Sequence, residues 1–172
     1  MIIEQHQISD FSMSDKQNMV LCFGCFDLIH IGHIRMLESL KKVTSTLVVC
    51  VANDQTVKKL KGRNRPIISA NERVIMLNAL KCVDYAFIQE TGSILELKKK
   101  YNFSDSEMIL WENLFYLLSI LKPKFTSFST DRELTKEFKK YCNDENIQII
   151  EMPYYQEQST SKIIAKIFND NQ

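Results

Sequence analysis

The stretch STLVVCVAN, residues 45–53, is an almost unbroken apolar run. A strand with one face in water alternates apolar and polar residues. A continuous run instead suits a central strand covered on both faces, as in parallel sheets flanked by helices. The rest of the chain supplies its neighbours. MVLCF (19–23), DYAFI (84–88), KFTSF (124–128) and IQIIEM (147–152) are further short apolar runs. Between them lie segments of helical character: 31–43, with apolar residues at 34, 36, 37, 40 and 43; a short helix after Asn53; 69–81; a charged piece at 93–100; then 105–121, 131–142 and 159–168. Ser69 followed by Glu72 is a capping-box signature. Strands alternating with helices build right-handed βαβ units around one parallel sheet.

The expectation is a single α/β domain over residues 18–172, Rossmann-like, with a five-stranded parallel sheet and helices on both faces. A helical insertion falls near 93–121. Its Met, Trp and Phe content suits packing on the core or on a second subunit, the core being the plainer reading. Residues 1–17 are polar and read as an extension, either disordered or an arm.

A parallel sheet binds ligands beyond the carboxyl ends of its strands, near the switch in strand order. The segment GCFDLIHIGH, Gly24–His33, follows the first strand and so lies on that edge. The chain has only 4 Gly and 3 His, and two of each fall in these ten residues. His30 and His33, three apart at a helix start, share one face where backbone N–H groups point outward. Gly24 admits close approach to the main chain, and Gly32 keeps the turn clear of a side chain. Helix N-terminus, open amides and two imidazoles able to carry charge make an anion site, and a triphosphate suits it. A single histidine at a helix start is more often structural; the pair with its glycines favours phosphate chemistry.

Composition narrows the partners. With 22 Lys+Arg against 21 Asp+Glu the net charge is +1, which argues for neither a nucleic-acid nor a membrane partner. MILWENLFYLLSIL (108–121) is too short to span a bilayer and carries Glu112 and Asn113. The N-terminus lacks a basic region followed by an apolar one, so a cytoplasmic protein is expected. The 5 cysteines are an odd number and read as free thiols. Cys22 and Cys25 form a C-x-x-C, but a redox pair of that kind opens a helix, and this one straddles a strand end and a turn. A zinc site would need a second ligand pair, which the sequence does not offer.

GCFDLIHIGH resembles the G-x-F-D-x-x-H-x-G-H signature of cytidylyltransferase-like nucleotidyltransferases. Its HIGH is also similar to class I aminoacyl-tRNA synthetases, which are much longer and carry separate tRNA-binding domains. KKLKGRNRPIISANERVIMLNALKCVDYAF (58–87) resembles the second block of bacterial heptose 1-phosphate adenylyltransferases and of glycerol-3-phosphate cytidylyltransferases, closer to the heptose branch. QSTSKIIAKI (158–167) resembles the family's S-[ST]-T-x-I-I stretch. The three blocks stand in family order and cover most of 19–168. The resemblance implies catalytic roles for His30, His33 and Lys61. It implies nucleotide contacts for Gly24, Cys25, Phe26, Gly32, Arg73, Asp131, Ser159, Thr160 and Ser161. Arg63 and Arg65, in the basic run after Lys61, would grip the substrate phosphate. Ser159, Thr160 and Ser161 can also simply cap the last helix. Asp27 can orient the turn or a histidine, and the residues alone do not choose.

The implied reaction is in-line attack by a substrate phosphate oxygen on the α-phosphorus of an NTP, with pyrophosphate leaving. Adenylyl transfer to heptose 1-phosphate leads, ahead of cytidylyl transfer to glycerol 3-phosphate or another phospho-alcohol. Mg²⁺ would arrive with the nucleotide, since no dense carboxylate cage is evident and no protein metal site is expected. A homodimer is expected from the habits of relatives. One departure stands out. The family's K-G-G-D-like turn near the nucleobase reads FSTD here (128–131): Asp131 is kept, Phe128 replaces the lysine, and Ser129 and Thr130 replace the glycines. β-Branched Thr130 is expected to resist a flat base. A nucleotide binder without catalysis, and a thiol module on Cys22 and Cys25, are the rivals from other classes.

Overall fold

A computed structural model describes residues 1–90, 95–101, 105–131, 133–155 and 159–169; for 8, 9, 105–112, 168 and 169 it describes the backbone alone. The strands are β1 (Met19–Gly24), β2 (Thr46–Val51), β3 (Tyr85–Ile88), β4 (Phe125–Ser129) and β5 (Gln148–Met152). They pair in parallel in the order β3-β2-β1-β4-β5. The helices are α1 (Met13–Gln17), α2 (Ile31–Val43), α3 (Asp54–Lys61), α4 (Ala70–Asn78), α5 (Leu95–Tyr101), α6 (Asp105–Leu121), α7 (Lys136–Asp144) and α8 (Thr160–Asn169). The chain winds outward from β1 through β2 to β3, then crosses back to β4 beside β1. The switch in strand order therefore falls between β1 and β4, where Gly24 and Ser129 end their strands.

The continuous apolar strands are explained by a core on each face. Met19, Leu21, Val48 and Cys50 point to one side, against Phe115, Leu118, Phe138 and Tyr141 of α6 and α7. Val20, Cys22, Leu47, Val49 and Val51 point to the other, against Leu37 and Leu40 of α2 and Val74 and Leu77 of α4. Alternate residues thus meet different helices, and every position along the strand must be apolar. The second half of α6 joins the first core through Leu114, Phe115, Leu117, Leu118 and Leu121. Residues 93 and 94 and the side chains of Met108 and Trp111, on which part of that expectation fell, lie outside what is described.

Local signals set the helix starts. Ser69 and Glu72 close a capping box on α4. Asn53 caps α3 by accepting from Thr56 N at 2.9 Å. Gly62 ends α3 with φ of 97°, a conformation that favours glycine. Helix α4 stops at Asn78, short of the expected Lys81, because Leu80 N turns to Leu77 O in a tighter closing turn.

Residues 1–17 do not stand apart from the sheet. Ala86 N donates to Met1 O at 2.9 Å and Ile3 N donates to Ala86 O at 3.0 Å, so the first residues pair along the outer edge of β3. Phe11 packs edge-to-face on Tyr85, with ring centroids 5.0 Å apart. Gln5 is buried and accepts from Glu90 N at 2.7 Å. The segment is an arm that covers an otherwise open sheet edge.

Candidate active site

A cavity of about 250 Å³ opens at the carboxyl ends of β1 and β4, at the switch point. It is lined by Gly24 and the turn Cys25–Asp27, by the start of α2, by the end of α3, by Phe128 of β4 and Asp131 beyond it, and by residues 153–155 and 159–161.

The turn is tightly wound. Phe26 and Leu28 have φ of 51° and 56°, left-handed values unusual for such side chains. Winding this way folds the Phe26 ring back over Gly24, where a Cβ would stand 2.8 Å from Phe26 Cε2. That contact is why residue 24 is glycine. The buried Phe26 ring then backs His33, with centroids 5.3 Å apart. His30 and His33 stack with centroids 3.8 Å apart and planes 26° off parallel. Gly32 sits beneath them: a Cβ there would lie 3.0 Å from His30 Nδ1 and 3.2 Å from Tyr155 Cβ.

Both Nδ1 atoms are buried and have no hydrogen-bond partner among the described residues, and both residues line the cavity. Burial, reinforced by the neighbouring His30, pushes His33 down to about 4; burial alone lowers His30. The sequence offered two imidazoles able to carry charge. In the folded protein desolvation keeps His33 neutral at pH 7, and an anion must come close before a proton is held there.

The basic residues divide. Lys61, the last residue of α3, and Arg65 line the cavity. Arg63 is exposed and does not. Arg73, expected on the nucleotide, is wholly buried and lies away from the cavity lining. Its Nε donates to Ile68 O at 3.1 Å, one terminal nitrogen donates to the carbonyls of Cys25 and Ala52, and the other meets Asp54 Oδ1 at 2.7 Å. The inward face of α4 carries it beneath the turn after β1, where it holds backbone carbonyls. Asp27 is fully buried and pairs with Arg65.

At the far side, Ser159 Oγ accepts from Lys162 N at 3.3 Å, and Thr160 Oγ1 donates to Asp27 O at 2.6 Å. The cap and the link fasten α8 over the cavity, with exposed Ser161 beside them. Cys25 and Asp131 also line it. Thr130 does not project into the cavity as expected. Its N–H donates to Met152 O, and its hydroxyl accepts from Tyr154 N at 3.2 Å, so its branched side chain is spent on the loop after β5. Phe128 does line the cavity, its ring backed by Phe138 with centroids 5.4 Å apart. Tyr154 and Tyr155 were missed in the sequence; their position just after the fifth strand was the available signal. The thiol alternative loses its chemistry: Cys22 is buried, and burial pushes it up to about 11, far from a reactive thiolate.

An imidazole-walled cavity at the switch point of a parallel sheet is the architecture of a nucleotidyltransferase. The sequence profile of the cytidylyltransferase-like family matches residues 21–166, and the chain belongs to that family. It is similar to the bifunctional protein HldE of Helicobacter pylori, 41% identical over 83 residues, 48% of this chain and 18% of that one. The HldE protein of Hydrogenovibrio crunogenus is 41% identical over 97 residues, 55% of this chain and 20% of that one. The match thus spans about a fifth of these relatives' length. Among solved structures, a lipopolysaccharide core biosynthesis protein from Thermoplasma volcanium aligns with TM-score 0.54 and 25% identity over 78% of this chain and 93% of that one. Pantoate-beta-alanine ligase from Francisella tularensis aligns with TM-score 0.61 over 94% of this chain and 69% of that one, but at 17% identity it speaks to the fold alone. Among the described residues no helix is long and apolar enough to cross a membrane.

Proposed function

We propose that the chain transfers AMP from ATP to a phosphate oxygen of a small phosphorylated sugar, heptose 1-phosphate in the leading version, and releases pyrophosphate. The observation that carries the reading is the stacked His30–His33 pair at the start of α2, lining one cavity with Lys61 and Arg65. The similarity to HldE proteins supports the sugar-phosphate acceptor. The acceptor oxygen attacks the α-phosphorus, the α–β bridging P–O bond breaks, and its electron pair leaves with pyrophosphate. No covalent enzyme intermediate is needed. The chain's work is to align the two phosphates and to stabilise charge growing on the phosphoryl oxygens.

His30 and His33 donate to the triphosphate, and the proton His33 lacks at pH 7 is taken up as that charge arrives. Lys61 neutralises charge from the far wall. Arg65 holds the acceptor's phosphate, while Ser159, Thr160 and Ser161 close over the nucleotide phosphates. Asp131 is the cavity carboxylate with no bond among the described residues, since Asp27 is committed to Arg65 and to loop amides. That donor set fits a Mg²⁺ whose remaining ligands are phosphate oxygens and water, not one caged by protein. Such an ion would neutralise triphosphate charge. A soluble cytoplasmic homodimer is part of the same reading.

The test is pyrophosphate release with ATP and with CTP against a panel of phospho-sugars and phospho-alcohols. ATP with a heptose 1-phosphate should turn over fastest, and His30→Ala and His33→Ala proteins that remain folded should lose the activity. A preference for CTP and glycerol 3-phosphate would move the assignment to the cytidylyl branch. Tight nucleotide binding with no turnover on any acceptor would defeat the enzyme reading.

A further inference from the structure

Asp27 has a role that the motif alone leaves open. Its side chain has 0% exposure, and both oxygens are engaged. Ile67 N donates to Oδ1 at 2.9 Å and to Oδ2 at 3.0 Å, Ile68 N donates to Oδ1 at 3.2 Å, and Arg65 Nε donates to Oδ2. Its own carbonyl receives Thr160 Oγ1. One residue thus joins the phosphate turn, the basic loop after α3 and the start of α8.

Arg65 is the other half of the pair. Its side chain is only 12% exposed and lines the cavity. Asp27 takes its Nε. Among the described residues no hydrogen bond engages its two terminal nitrogens. A largely desolvated guanidinium fork, with its base clamped and its tips unpaired, is organised for a tetrahedral oxyanion with two oxygens to offer. A lysine could not be held in this way, because its single nitrogen cannot bond Asp27 and a ligand in fixed directions.

We propose that Asp27 is a positioning residue: by clamping Arg65 at Nε it aims the guanidinium at a phosphate in the cavity. In the proposed reaction, on which this inference rests, that phosphate is the acceptor's. Without the clamp Arg65 keeps its charge but loses its direction. Removing the carboxylate should therefore cost what removing the fork costs, and no more.

The experiment is a double-mutant cycle on the intact chain with glucose 1-phosphate, a sugar 1-phosphate, as the probe, followed by calorimetry, with thermal melts run alongside. This readout does not depend on turnover. Asp27→Asn can still accept from the loop amides but loses its charge on Nε. Both Asp27→Asn and Arg65→Lys should weaken glucose 1-phosphate binding about tenfold, and the double variant should bind no worse than either single one. In turnover assays both singles should raise KM for the phosphorylated acceptor more than KM for the nucleotide. If Asp27→Asn does not fold, Arg65→Lys decides against Arg65→Met: Lys should be nearly as poor as Met. The proposal is overturned by unchanged affinity in Asp27→Asn, by losses that add in full, by wild-type affinity in Arg65→Lys, or by no glucose 1-phosphate binding in the wild type. Absence of turnover with glucose 1-phosphate binding and its cycle intact would defeat the enzymatic reading and leave the positioning role standing.

Discussion

Acid should weaken this fold through one histidine. Unfolded, His33 titrates near 6.5; in the native protein burial and His30 push it down to about 4. Between those values the unfolded chain binds a proton that the native state refuses, so stability rises with pH across the window and falls as pH drops through it. A single group with these two values costs about 2 kcal/mol on going from pH 7.5 to pH 5, and about 3 kcal/mol once pH is below 4. For a chain of this size 2 kcal/mol corresponds to about 4–8 °C in melting temperature. The lowered carboxyls of Asp15, Glu72 and Asp144 add to acid sensitivity only as pH falls below their ordinary range, so they leave the upper window to the histidines. His30 shifts in the same direction. The assay is urea unfolding at pH 7.5 and pH 5 for the wild type and His33→Gln. The variant should lose most of the pH dependence, whatever its stability at pH 7.5. Equal pH dependence in the two proteins would refute the claim that His33 is held neutral by burial.

Three further outcomes follow from the same geometry. Pyrophosphate binding at pH 7, measured in buffers of different ionisation enthalpy, should show net proton uptake that is reduced in His33→Gln. Gly32→Ala pushes a Cβ against His30 and Tyr155, and should cut pyrophosphate release by about 10²-fold while the melting temperature changes little. Arg73→Met should lose about 3 kcal/mol of unfolding free energy in urea, because the buried carbonyls of Cys25, Ala52 and Ile68 lose their donor.

The paired histidines, the glycines beneath them and the helix caps were legible because each depends on neighbours a few residues away. His30 and His33 share a face because a helix begins at Ile31. The unbroken apolar runs announced a sheet buried on two sides because every strand residue meets one helix layer or the other. Arg73 was misjudged for the opposite reason. Sequence places it in the first turn of α4, but the docking of α4 on the sheet decides that it points inward. Thr130 likewise looked like an obstacle until Tyr154, 24 residues on, was seen to use its hydroxyl.

Local order was therefore written in the chain: which segments are strands, where helices start, and that a glycine- and histidine-bearing turn follows β1. Tertiary structure alone decided that Arg65 and not Arg63 faces the cavity, that Asp27 meets Arg65 across 38 residues, and that the first three residues pair with β3. It also set the proton affinity of His33. Side-chain type fixes what a histidine can do, whereas the water stripped from around it by distant segments fixes how readily it takes a proton.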